Sequence, residues 1–159
     1  MTHALFPGTF DPPTLGHLDV ILRATELFDT VTVGLADHAE KTPLFTVGER
    51  LELLSEMVAD YDSVKVARIE GLVVESAREL GATVLVRGVR NSRDFDYEVE
   101  MAQTNRVLAG DVCTIFVLPD PAHANISSTL VRQIAKLGGD TSQLVPGVIH
   151  SKLLERFKS

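Results

Sequence analysis

The sequence predicts a doubly wound α/β fold in a single domain spanning residues 1–159, with a parallel sheet of about five strands covered by helices on both faces. Three observations point to it. Apolar stretches of strand length alternate along the chain with stretches of helical period, and right-handed crossovers through such helices lead from each strand to a parallel neighbour. The run Thr83-Val84-Leu85-Val86 is nearly continuously apolar, as a strand covered on both faces requires. With 159 residues, 45% of them hydrophobic and 23% charged, the chain can bury one core without disulfide or metal staples, and no repeat suggests a solenoid. A Rossmann-like sheet follows, in which ligands sit beyond the carboxyl ends of the strands where the strand order reverses.

The elements read in order. His3-Ala4-Leu5-Phe6 is a short first strand, and the helix after the turn at residues 7–17 places Leu18, Ile21, Leu22 and Phe28 at helical spacing. Thr30 to Ala36 is the second strand. Asp37 to Phe45, with Lys41 and Pro43, reads as a loop, and Glu49 to Ala59 returns to helical period with Leu51, Leu54 and Met57 or Val58 inside. Val64 to Ile69 is the third strand. Leu72 to Leu80 is a helix stopped by Gly81, and Thr83 to Val86 is the fourth strand. A long polar helix from about Asp94 to Leu108 precedes a fifth strand, Val112 to Leu118, read as buried, with Cys113 in the core. Helices near Ser128 to Lys136 and Pro146 to Phe157 close the chain. The loops after the first, second, fourth and fifth strands then meet in space, with Thr9 and His17, Lys41, Arg87 and Arg90, and Ser127 to Thr129.

Composition narrows the function. A net charge of −7 argues against general nucleic-acid binding, which depends on clustered Lys and Arg. Yet Arg87, Arg90 and Arg93 stand close together, as at a local anion site. The single cysteine excludes an intrachain disulfide, no signal segment opens the chain, and no apolar run reaches the roughly 18 residues of a membrane helix. A soluble protein of the cytoplasm, with no membrane partner, is expected. The fingerprint G-x-G-x-x-G is absent after the first strand, which disfavours a nicotinamide cofactor.

The stretch Pro7-Gly8-Thr9-Phe10-Asp11-Pro12-Pro13-Thr14-Leu15-Gly16-His17 joins the first strand to its helix. Glycines let the backbone approach a ligand, and a helix start offers unpaired N–H groups with the positive dipole end behind them. A histidine there can donate to a phosphate. Asp11 reads as a helix-start cap rather than a metal ligand. Further on, Val86-Arg87-Gly88-Val89-Arg90 brings two guanidinium groups to the carboxyl edge of the sheet, and Asn125-Ile126-Ser127-Ser128-Thr129 opens a helix with hydroxyls that can cap it or cradle phosphate.

Together these motifs resemble the nucleotidyltransferase superfamily related to class I aminoacyl-tRNA synthetases, and within it the bacterial phosphopantetheine adenylyltransferases, over essentially the whole chain. The resemblance implies transfer of AMP from Mg²⁺-bound ATP to 4′-phosphopantetheine, giving dephospho-coenzyme A and pyrophosphate, in a homohexamer. It also implies site residues. His17, Lys41 and Arg90 would act on the reacting phosphoryl group; Thr9, Phe10, His17, Gly88, Val89, Arg90, Glu98 and His123, Ala124, Asn125, Ile126, Ser127, Ser128 and Thr129 would bind ATP; Thr9, Lys41, Val73 (with Leu72) and Arg87 would bind the acceptor. The ligands of Mg²⁺ are not implied. Two departures from the family pattern stand out, Thr129 in place of a third serine and His123-Ala124-Asn125 where aromatic residues often stand, the latter affecting how adenine packs. The pattern Ser127-Ser128-Thr129 with Arg132 keeps a nicotinate mononucleotide acceptor open, and a noncatalytic nucleotide-binding protein is the alternative from another class.

Overall fold

A computed structural model describes residues 1–37 and 42–158. In order they form β1 (His3–Gly8), α1 (Leu15–Thr25), β2 (Thr30–Ala36), α2 (Val47–Met57), β3 (Val64–Ile69), α3 (Val73–Glu79), β4 (Val84–Gly88), α4 (Ser92–Leu108), β5 (Cys113–Val117), α5 (Ser128–Lys136) and α6 (Gly147–Phe157). All four strand pairings are parallel, in the order β3-β2-β1-β4-β5, so the expected doubly wound sheet is present. The order reverses between β1 and β4, and their carboxyl ends, Gly8 and Gly88, flank the switch point.

Alternation along each strand divides the interior into two cores. Ala4 and Phe6 of β1, Val33 of β2 and Val86 of β4 join the larger one, packed with Val20 and Ile21 of α1, Leu53 and Leu54 of α2, Val131 of α5 and Ile149 and Leu153 of α6. Leu5 and Leu85 point the other way, to Val74 and Ala77 of α3 and to Val112. Helix starts follow their capping residues. Thr14 and Thr46 each close a reciprocal capping box, and Asn91 and Ser127 accept from the amides of Asp94 and Leu130.

Two expectations need correction. Cys113 is exposed rather than core, because β5 is an edge strand and α4 covers it incompletely; of the α4 residues only Glu98 is buried. The apolar run 112–118 reports residue type, not what covers it. Secondly, β4 extends to Gly88, since Arg87 and Gly88 pair with Phe116 and Val117 of β5, so Arg87 belongs to the strand rather than to the loop after it.

Candidate active site

The β1–β4 ladder consists of two residue pairs, Ala4 with Val84 and Leu5 with Leu85, after which the strands part toward their carboxyl ends. The gap opens into a cavity of about 560 Å³, within the range of small-molecule sites. Thr9, Phe10, His17, Leu72, Val73, Arg87, Gly88, Arg90, Glu98, Ile126, Ser127 and Ser128 all line it, so the structure brings most of the residues singled out from sequence to one place. Val89, His123, Ala124, Asn125 and Thr129 are not in its lining. Lys41 lies outside the described residues.

The first turn seats His17. At the start of α1, the Thr14 amide donates to His17 Nδ1 (3.0 Å), while the His17 amide donates to Thr14 Oγ1 (3.3 Å). An Nδ1 that accepts from a backbone N–H carries a lone pair, so the neutral ring bears its proton on Nε2, the nitrogen left for the cavity. Phe10 packs edge-on against the ring at 4.9 Å between centroids. Burial, then the positive charges of Arg90 and Arg87, lower the His17 pKa from 6.5 to about 4. The site thus keeps an uncharged donor at neutral pH.

This has a pH consequence. With the folded pKa below the unfolded one, the unfolded chain binds more protons between the two values, so the contribution of His17 to stability is complete above pH 6.5 and lost as pH falls toward about 4. Urea unfolding across that interval is expected to show declining stability, and His17→Gln, which cannot titrate there, is expected to show a flatter profile.

Arg87 fills the gap between the parting strands. Its Nη1 donates to the Pro7 carbonyl (2.8 Å), and its Nε and Nη2 donate to the two oxygens of Glu98 (2.8 and 2.7 Å). Glu98, the one buried residue of α4, therefore orients the arginine with a two-pronged grip. Arg90 donates from Nε to Asp94 Oδ2 (2.9 Å) and from Nη1 to the Ile126 carbonyl (3.2 Å), tying the loop after β4 to the approach to α5. Burial opposes ionisation of Asp94, but hydrogen bonds from the Arg90 side chain and amide outweigh it and hold the carboxyl below its usual range.

The hydroxyls before and at the start of α5 have structural partners. Ser127 Oγ accepts from the Leu130 amide (3.1 Å), and Ser128 Oγ donates to the Pro12 carbonyl (2.8 Å). Arg132 donates to the Asp11 carbonyl (2.6 Å) and to Thr129 Oγ1 (3.3 Å). The Asp11 carboxylate does not cap α1, a role taken by Thr14; it accepts from the amides of Leu44 (2.8 Å) and Phe45 (2.9 Å). Sequence reading missed Tyr97, Met101 and Asn105, which line the cavity from α4. The signal was there: Asp94, Glu98, Met101 and Asn105 recur at helical spacing, so finding two of them at a site points to the others on the same face.

Among the described residues no group of three or more His, Cys, Asp or Glu side chains could hold a metal ion. The carboxylates lining the cavity, Asp94 and Glu98, are both engaged by arginines. Such a donor set does not amount to a protein cage for Mg²⁺.

The sequence profile of the cytidylyltransferase-like family matches residues 5–134. Phosphopantetheine adenylyltransferases from Methylococcus capsulatus and Gloeobacter violaceus are 47% and 48% identical to this chain, each over 97% of it and over 95% and 96% of their own lengths. The chain belongs to the phosphopantetheine adenylyltransferase family. A further member of that family, from Caldanaerobacter subterraneus, is 42% identical over 99% of both chains. A solved structure from Vibrio parahaemolyticus, assigned as a nicotinate-nucleotide adenylyltransferase, superposes with a TM-score of 0.70 over all of this chain and 98% of its own; at 20% identity the likeness is one of fold. Among the described residues no helix is long and apolar enough to cross a membrane.

Proposed function

We propose that this phosphopantetheine adenylyltransferase moves AMP from ATP to 4′-phosphopantetheine, producing dephospho-coenzyme A and pyrophosphate. An oxygen of the acceptor phosphate attacks the α-phosphorus in line. The α–β anhydride bond breaks and its electron pair leaves with pyrophosphate, without a covalent enzyme intermediate. Catalysis of this kind rests on positioning and charge neutralisation. The observation that carries the reading is the convergence of Thr9, His17, Arg87 and Arg90 on one cavity at the switch point, in a chain whose relatives of this family match it over nearly their full lengths.

In this reading His17 donates from Nε2 to an oxygen of the reacting phosphoryl group. Its neutral state suits the role, because protonation at Nδ1 would break the capping box that orients it. Arg90 and Lys41 add positive charge, and Gly88 and Val89 offer backbone to the nucleotide. The start of α5 at Ser127, Ser128 and Thr129, with His123 through Ile126 leading into it, receives the outer phosphates of ATP. Arg87 binds the acceptor phosphate with Thr9 and Lys41, held on target by Glu98, while Leu72, Val73 and the Tyr97–Met101–Asn105 face of α4 flank the pantetheine arm. With Asp94 and Glu98 engaged by arginines, the triphosphate itself would carry Mg²⁺, whose chemistry there would be neutralisation of phosphate charge. The enzyme works in the cytoplasm as a homohexamer; exposed Phe95, Tyr97, Val107 and Leu108 on α4 and Leu118 after β5 supply apolar surface for subunit contacts.

The test is pyrophosphate release with Mg-ATP, offering 4′-phosphopantetheine and nicotinate mononucleotide in parallel and identifying the product by mass. Dephospho-coenzyme A from the first acceptor alone is expected. Product from the second alone would move the assignment, and ATP binding without product from either would make the protein a noncatalytic binder. Light scattering on a sizing column checks the hexamer.

A further inference from the structure

The turn that carries Thr9, Phe10 and His17 is held from behind by a side chain that does not line the cavity. Arg50 of α2 is only 3% exposed. Its Nη1 donates to the Thr9 carbonyl (2.8 Å) and its Nε to the Phe45 carbonyl (3.1 Å). On the other side of the same dipeptide, the Asp11 carboxylate takes the Leu44 and Phe45 amides, and Arg156 of α6 donates to the Leu44 carbonyl (3.0 Å) and lies 5.0 Å over the Phe45 ring. All four backbone polar groups of Leu44–Phe45 are thus taken by three charged side chains, and the anchored segment is the base from which Arg50 reaches Thr9.

A bonded Thr9 carbonyl fixes the plane of the Thr9–Phe10 peptide. That matters because Phe10 has φ 48°, a left-handed conformation that a phenylalanine keeps only where its surroundings impose it. Its ring, in turn, packs edge-on against both Phe6 (5.5 Å) and His17 (4.9 Å) and is almost fully buried. A line of contacts therefore runs from the guanidinium of Arg50 through one peptide plane and one aromatic ring to the imidazole. We propose that Arg50 is a positioning residue for the adenylyl transfer, setting the place and the hydration of the His17 ring through the Thr9 carbonyl and the Phe10 side chain. Arginine suits the role because its planar fork fixes the directions of donors that reach acceptors on two separate chain segments, a geometry that the rotatable ammonium of a lysine does not hold.

The inference rests on the proposed role of His17, and its test is chosen to stand apart from the reaction. Arg50→Lys keeps the charge and most of the stem while losing the fork. With no substrate present, the His17 imidazole resonances of this variant, followed by NMR against pH, are expected to titrate about one unit or more above the native value as water reaches the ring. In steady state kcat is expected to fall on the order of tenfold, with both KM values moving less. Arg156→Ala removes one solvent-side contact of the same dipeptide while Asp11 and Arg50 still hold it, and is expected to change neither readout.

An unchanged His17 titration in folded Arg50→Lys overturns the proposal, and so does an equal shift in Arg156→Ala, which would reduce the effect to general loosening. Should Arg50→Lys not fold, Phe10→Leu breaks the same line one step further on, and a His17 titration unchanged there overturns the proposal as well. If no acceptor supports turnover while the His17 shift appears, the chemistry has been misassigned and the positioning stands.

Discussion

His17→Glu is expected to leave the fold intact and to remove most of the turnover. In a capping box the residue three after the cap accepts from the cap's own amide, and glutamate is among the residues that ordinarily do so. His17 does this through Nδ1, so Glu can take over the Thr14 amide, whereas its carboxylate has no N–H to put where imidazole Nε2 stands. Loss of one donor aimed at developing negative charge costs on the order of 10²- to 10³-fold in rate. His17→Ala should lose as much activity and in addition about 1 kcal/mol of stability, because it leaves the amide of buried Thr14 without its acceptor. Urea midpoints and steady-state rates on the two variants separate these effects. A Glu variant turning over near the native rate would remove the donor role of His17.

Arg87→Met is expected to damage stability and function together. The guanidinium bridges β4, the Pro7 carbonyl and both oxygens of Glu98, whose side chain is 8% exposed. The pair is partly buried, with Arg87 reaching solvent and Glu98 enclosed, so removing the arginine leaves the enclosed carboxylate without its partner, a loss of about 2 kcal/mol. Arg87→Lys keeps the charge but not the two-pronged grip, so its unfolding midpoint should fall between, with the KM for the acceptor raised. Pairing Arg87→Met with Glu98→Leu should recover much of the stability, since the orphaned carboxylate is gone, and none of the activity. Recovery of activity in that double variant would show that the cavity works without this cation.

Much of the fold was legible because helical period, strand-length apolar runs and turn residues agreed with one another. The turn at residues 7–17 was legible as a site for the same reason: glycine, proline, a capping threonine and a histidine each have one local meaning, and the meanings coincide. What stayed hidden was pairing at a distance. Nothing in the carboxylate run 94–98 says that Glu98 turns inward to Arg87 while Asp96 does not, and Asp11 sits where helix caps sit yet binds amides at residues 44 and 45. Arg50 carried no signal, because a buried arginine inside an amphipathic helix looks like any solvated one. Cys113 was misplaced because hydrophobicity does not record whether a strand is central or at the edge.

The short β1–β4 ladder also has a mechanical meaning. Beyond Leu5 and Leu85 the sheet is two leaves, β3-β2-β1 and β4-β5, joined by pairing at their amino-terminal edge and bridged across the gap by Arg87 and Pro7. The groups that line the cavity are divided between the leaves: Thr9 and His17 follow β1, while Arg87, Gly88 and Arg90 belong to or follow β4. A molecule touching both leaves would bridge a seam that the strands themselves leave unpaired, so occupancy of the cavity and cohesion of the sheet would be joined.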